Sequence, residues 1–529
     1  MARGWQKWMV GGVCAAVIGG AFFMPGAQID VEAQAGLTPA PARRAGEGFG
    51  PFNRMVVQNV MVIDGTGAPP YGPVNITISN NRIASIGGGG GGGRQGGATQ
   101  PDHVIDGTGM YVMPGFVDMH VHAGGAPKNA EAEYAYKLWL GHGVTTVRGV
   151  ALGSQQFSVS ERARSEKNEI VAPRIFNCQR PGGGNSAEGV REWVRQNANG
   201  LDCLKLGAME PEVMAAVIDE AHRFGLGTTA HLQQGGVAQM NAIDAARVGL
   251  DTVTHFYGHF ESLLKDTIVQ DWPMDMNAND EQHRFGQVAR MWNKIYEPGS
   301  PEWKAYLQEH LKLGTTFDPT MTIYSAGRDV MRAREADYHD EYTLPSLMDF
   351  FTPSRQNHGS YWFDWTTHDE IAWRNFYQVW FKLNNDYKKM GGRVTTGSDS
   401  GFIYQNYGFG YILELEMLQE AGFHPLEVFQ AATMNGAATL SEWRKEPVEF
   451  GVLKAGKLAD MVLVDQNPMH NLKVLYGNGA VKLNDTTGRV ERVGGIKWTI
   501  KDGIAYDAVK LRADVKAMVQ KQKTERTKK

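Results

Sequence analysis

Cysteine is scarce in this chain: three thiols in 529 residues, Cys14, Cys178 and Cys203. Cys14 sits in a segment that reads as removable, so two remain. Two cysteines do not make a disulfide framework, and although an exported protein permits a bond, the pair reads as two buried free thiols. Charge of one sign is also lacking. The net charge is −4, which gives no basic field and excludes a nucleic-acid partner. With 42% hydrophobic and 21% charged residues, the composition is that of an ordinary globular enzyme. The length is that of a barrel-sized domain plus a smaller one.

One apolar run stands at the N-terminus. Arg3 and Lys7 precede Met9 to Ala27, and Ala33-Gln34-Ala35 offers a small-x-small cleavage site. Residues 1–35 therefore read as a signal peptide, and the mature chain as exported, to a periplasm or the medium. An uncleaved membrane anchor is the alternative, because the run is nearly long enough to span; no other stable membrane partner is expected. Residues 36–54 read as a linker, with Pro, Gly and Ala and no periodicity.

From residue 55 to 113, segments such as MVVQNVMVID, VNITIS and NRIASIG alternate apolar and polar residues, as strands do. The Gly87–Gly93 run reads as a flexible hairpin loop; no Lys-Ser/Thr follows it and no helix starts there, which argues against a phosphate cradle. Residues 114–440 alternate strand-like and helix-like segments. Eight such units predict an α/β fold built on a (β/α)₈ barrel of the TIM type. Residues 257–310 and 325–385 are too long for simple crossovers and predict helical lids over the barrel mouth. Alternation of the hairpin kind returns over 441–507, so both flanks of the barrel are expected to form one small β-sandwich. Residues 508–529 place Leu511, Val515, Met518 and Val519 at helical spacing, in what reads as a frayed, solvated helical tail.

The chemistry concentrates in GFVDMHVHAGG, residues 115–125. Residues two apart on a strand share a face, so Asp118, His120 and His122 point together. Two neutral imidazoles on one face make a metal half-site, and the C-terminal end of a barrel strand is where active sites lie. His231, His255 and Asp399 end three further strands. Each alone reads better as a satisfied polar residue than as a ligand; the coincidence at one barrel end carries the signal. In DCLKLGA, Lys205 shares the face of Cys203 and points inward, where a charged lysine is costly. Either an acid pairs with it, or CO₂ converts it to a carbamate anion able to bridge two metals.

These motifs, with MPGFVDMHVH, THF, TTGSDSG, LELEMLQEAGFHPLEVFQAATMNGAATL and GVLKAGKLADMVLVDQNP, resemble the amidohydrolase superfamily over roughly residues 55–507. Most similar is its branch of imidazolonepropionase-like hydrolases and prolidase-like enzymes with a binuclear metal centre. The resemblance implies that His120, His122 and Asp399 hold one divalent ion and His231 and His255 the other. It implies that carboxylated Lys205 and a hydroxide bridge them, with Asp399 as the catalytic base and acid. Zn²⁺ is the first expectation, with Mn²⁺, Co²⁺ or Fe²⁺ as alternatives. It further implies hydrolysis of an amide-type C–N bond in a small-molecule substrate. A homo-oligomer is compatible with the sequence.

The pattern also departs from that branch. Gln233 stands where the peptidases carry a tyrosine, and Gly184-Asn185 near a missing histidine; glutamine can donate a hydrogen bond but cannot act as an acid. Tyr257, His259 and Tyr324 are weaker candidates for substrate contact, and each reads as lid packing as well. GSDSG, residues 397–401, has aspartate where a nucleophile elbow needs serine. The rival readings are an Xaa-Pro dipeptidase or carboxypeptidase, a mononuclear deaminase in which Lys205 stays an ordinary lysine, a lactone or phosphotriester hydrolase, and a catalytically inactive scaffold.

Overall fold

A computed structural model describes residues 36–88, 100–355 and 358–528. The expected signal segment and most of the glycine run lie outside these residues. Among the described residues no helix is long and apolar enough to cross a membrane.

The N-terminal flank gives β1 (Phe52–Val62), β2 (Tyr71–Asn80), β3 (Arg82–Gly87), β4 (His103–Asp106) and β5 (Tyr111–Pro114). The chain then alternates β6 (Phe116–Val121), β7 (Val144–Val150), β8 (Arg174–Gln179), β9 (Cys203–Leu206), β10 (Gly227–Ala230), β11 (Thr252–Thr254) and β12 (Thr316–Asp318) with helices. These seven strands pair in sequence order, all parallel. Every residue of β6, β7, β9 and β10 is buried, as befits a parallel sheet covered on both sides. Where the eighth strand is expected, residues 393–399 make an isolated parallel bridge, Val394 to Phe317, in place of a full strand. The segment's backbone bonds both edges: Thr395 N–H donates to Phe317 O at 2.9 Å, and Met119 N–H to Thr396 O at 2.8 Å. The barrel is thus seven strands nearly closed by that segment.

The insertions after β11 and β12 are helical, as predicted. They include Glu281–Ala289, Pro301–Leu313 and the 23-residue helix Thr367–Lys389, which opens with a Thr366/Asp369 capping box.

The two flanks combine in one eight-stranded sheet. β13 (Met461–Val464), β16 (Ile496–Lys501) and β17 (Ile504–Asp507) join β5, β1, β2 and β3 in one path, with β4 beside β1. Met55, Val57, Ile76 and Ile78 pack there with Met461, Leu463 and Ile500 in one apolar cluster. The intervening β14 (Ala480–Asn484) and β15 (Arg489–Val493) form a separate two-stranded ribbon.

Three further expectations need correcting. Residues 36–54 are a strap, not a linker. Ala40 is buried and held by Glu161 and Arg164 at 3.1 and 2.7 Å, and Phe49 bridges Ala505. The tail is packed, not frayed. Leu511, Val515 and Val519 are buried on the helix Ala508–Thr527, and Arg512 donates to Gly141 O and Ile496 O. Lys137, on the helix Ala132–Gly141, ties both segments down through Glu133, Asp514 and Glu47 at 2.8–3.2 Å. Finally, Cys178 and Cys203 are bonded. They face each other in the β8–β9 register with Cα atoms 4.4 Å apart, a spacing that permits a disulfide and that strand order alone produces.

Candidate metal centre

All six predicted ligands sit at the C-terminal end of the barrel. His120 lies in β6 and His122 just beyond it; Lys205 lies in β9. His231 and His255 each follow the last residue of their strand, and Asp399 ends the closing segment. His120, His122, Lys205 and His255 are at most 3% exposed.

Three of the imidazoles, those of His120, His122 and His255, converge on Asp399. Oδ1 lies 3.4 Å from His122 Nε2 and 3.7 Å from His120 Nε2, and Oδ2 lies 3.5 Å from His255 Nε2. Two ligands about 2.0–2.1 Å from a tetrahedral Zn²⁺ lie roughly 3.4 Å apart, so these spacings suit an ion between them. Among the described residues, His120, His122 and Asp399 form a group able to hold one ion. Lys205 Nζ lies 3.3 Å from His122 Nε2. His231 is the least enclosed; its ring packs edge-on to His255 at 4.6 Å.

The donor set fits a cation. Both ring nitrogens of His120 and Nε2 of His255 are buried without a hydrogen-bond partner. A buried polar atom left unpaired costs about 1–3 kcal/mol, and a cation would recover it. Burial, reinforced by the Lys205 charge, pushes both imidazoles well below their usual pKa. They are neutral at pH 7, the form that binds metal.

A second layer orients these groups, and the sequence reading passed over most of it. Thr320 hydrogen-bonds His255 Nδ1 and so turns Nε2 toward Asp399. Asp118 accepts from Ser398 N–H and Oγ–H at 2.9 and 2.6 Å and from His120 N–H at 3.2 Å. It thereby ties β6 to the Asp399 turn, and burial pushes its own pKa up to about 8. Arg148, fully buried, donates to Asp318 Oδ2 at 2.9 Å and to Met119 O at 2.6 Å. The available signal for Asp318 and Thr320 was their place at the end of the seventh strand, in TTFDPT. His255, Thr320 and Asp399 all have positive φ, 64°, 45° and 48°. Such strain in non-glycine residues persists where surrounding structure imposes it, and it clusters at functional sites.

The weaker candidates divide. Tyr257 stacks on His231 at 4.8 Å, and its hydroxyl meets that of Tyr324 at 3.0 Å; Tyr324 packs edge-on to His255 at 5.5 Å. Both line the centre. Gln233 is half-buried in the loop after β10, with φ of 60°. The expectation for His259 is corrected. Its Nδ1 bonds Tyr306 OH at 2.6 Å and its ring packs against Phe317 and His310, all side chains of the barrel's packing. A cleft of about 850 Å³ is lined by Arg328, Tyr338, Glu416 and Tyr476 among others, and by none of the six ligands.

No family model matches the chain. A curated relative, enamidase from Eubacterium barkeri, is 25% identical over an alignment of 230 residues that covers 39% of this chain and 58% of the enamidase. The match thus spans little more than half of that relative's length. Solved structures match far more of the chain. A Xaa-Pro dipeptidase with methionine in its active site covers 86% of this chain and 100% of its own, at 20% identity and TM-score 0.56. Bottromycin amidohydrolase covers 88% and 89%, at 17% and 0.57. Ochratoxinase from A. niger covers 86% and 95%, at 16% and 0.54. The chain shares the fold of these structures.

Proposed function

We propose that this chain is a metal-dependent hydrolase of C–N bonds, cutting an amide of a small molecule. The observation that carries the reading is the convergence of the His120, His122 and His255 imidazoles on Asp399, with both nitrogens of His120 and Nε2 of His255 buried and without a protein hydrogen-bond partner. His120, His122 and Asp399 would hold one ion, and His231 and His255 a second, with Lys205 as a carbamate between them. Divalent ions bound there would supply a Lewis acid for the carbonyl and lower the pKa of a water to near neutrality.

The protein groups divide the remaining work. Asp399 accepts the proton of the attacking water on a carboxylate oxygen and returns it to the nitrogen of the leaving amine. Its two oxygens face different histidines, which places it between both halves of the centre. Tyr257 and Tyr324 wall the side next to His231 and His255, and their paired hydroxyls face a substrate oxygen there. Thr320 holds the His255 tautomer. The enamidase and amidohydrolase relatives act on the same bond type by name, which supports the reading. The compact His120/His122/Asp399 trio also favours a second one, a mononuclear enzyme with an ordinary Lys205.

Metal analysis and a hydrolysis screen decide between them. Two equivalents of metal with cleavage of N-acyl amino acids, dipeptides ending in Pro or Arg, or cyclic amides are expected. One equivalent moves the reading to the mononuclear enzyme; turnover of lactones alone refutes the amide.

A further inference from the structure

Tyr361, in the insertion after β12, is a buried polar group with no part in the bonds that hold the metal centre together. It is 1% exposed, yet its hydroxyl has no hydrogen-bond partner among the described residues. Burying a hydroxyl without a partner is costly, and the ring alone accounts for the packing around it. The hydroxyl calls for a partner from outside the protein.

Ring contacts carry Tyr361 to the rim of the centre. Its ring stacks on Phe285 at 4.5 Å, Phe285 packs against Tyr324 at 5.6 Å, and Tyr324 packs edge-on to His255 at 5.5 Å. The backbone makes a second link. Gly359 O accepts the Ile403 N–H at 2.9 Å, and Trp362 packs on Tyr404 at 5.8 Å. Residues 359–362 are thus fastened to the loop that follows Asp399. The hydroxyls of Tyr257 and Tyr324 bond each other at 3.0 Å, so one of their two protons is already committed. Tyr361 lies within electrostatic reach of both. Burial pushes its pKa well above the usual tyrosine value, so at neutral pH it is a donor.

We infer that Tyr361 touches the substrate, its hydroxyl donating a hydrogen bond to the oxygen that gains negative charge when water adds to the amide carbon. The proton stays on Tyr361; the bond stabilises the developing charge. This deepens the hydrolase reading and rests on it for the reaction.

The probe is methylphosphonate, a tetrahedral anion shaped like the amide carbon after attack, titrated calorimetrically into the full-length protein loaded with Zn²⁺. Tyr361→Phe should bind it roughly tenfold more weakly than the parent, the effect of one lost hydrogen bond to a charged group. Its metal content should match the parent's, and its melting temperature should be no lower, because the lost hydroxyl had no protein partner. Equal affinity, or no binding to the parent, overturns the inference. A second measurement keeps the hydroxyl: 3-fluorotyrosine at position 361 should give a ¹⁹F signal that shifts saturably with methylphosphonate. No shift overturns the inference even if Tyr361→Phe misfolds. If the affinity loss holds but the parent cleaves no amide in the hydrolysis screen, the contact stands and the hydrolase reading falls. If Tyr361→Phe cleaves an amide with the parent's kcat/KM, the contact falls and the hydrolase reading stands.

Discussion

His120 shows how one residue can be destabilising and still be held in place. Its ring is buried, neutral and without a hydrogen bond on either nitrogen. His120→Ala should therefore cost the apoprotein little, yet strip the first ion. Elemental analysis should show loss of bound metal, and turnover should fall by on the order of 10³-fold or more, as when a stabiliser of transition-state charge is removed. An active variant with full metal content would refute the assignment. Thr320→Val acts one step away: it frees the His255 ring, and loss of such an outer-shell partner costs about 10–100-fold in metal affinity or activity. A metal titration with a chelating dye measures it. Arg148→Met is of another kind. It leaves Asp318 buried beside Thr395 without its cation, and should cost about 3–5 kcal/mol in a urea melt.

At the scale of elements, the turn at 397–399 matters most. A Cβ on Gly397 would lie 2.8 Å from His120 Cβ, 2.6 Å from Thr320 Cγ2 and 2.9 Å from Asp318 Oδ1. No flexible side-chain end can yield there, so Gly397→Ala should both destabilise the fold and weaken metal binding, read in one melt with and without metal. The strands that carry ligands were legible, because histidine or aspartate ending a β-rich segment is unusual. Their supports were not. Ser398, Thr320 and Arg148 are ordinary residues until β6, β12 and the closing segment lie side by side. The strap and the C-terminal helix were misread for the same reason. Their few apolar residues are unremarkable locally, and their partners, Glu161 for Ala40 and Gly141 O for Arg512, lie more than a hundred residues away.

For the molecule as a whole, the barrel and the flanking sheet meet at a buried cation. Lys501 is fully buried, donating to Ser165 O and Asn168 Oδ1 at 2.7 Å, and burial pulls its pKa from 10.5 down to about 8. The unfolded chain then binds more protons than the folded one between pH 8 and 10.5, so this group makes the fold more stable as pH rises through that window. The increment is at most about 3 kcal/mol. Lys501→Met should flatten the rise relative to the parent in chemical denaturation at pH 7.5, 9 and 10.5; parallel curves would contradict the burial.

The sequence by itself determined which strands end in ligands, that the flanks are β and the centre α/β, and where helices interrupt the barrel. Local periodicity and the chemistry of six residues contain that information. Tertiary structure alone decided that Asp399 turns one oxygen to each set of histidines, that Cys178 meets Cys203, and that Tyr257 rather than His259 faces the centre. It also decided that the flanks form one sheet. Each of these depends on which strand lies beside which. Such adjacency is fixed by the closure of the barrel and leaves no trace in any short stretch of chain.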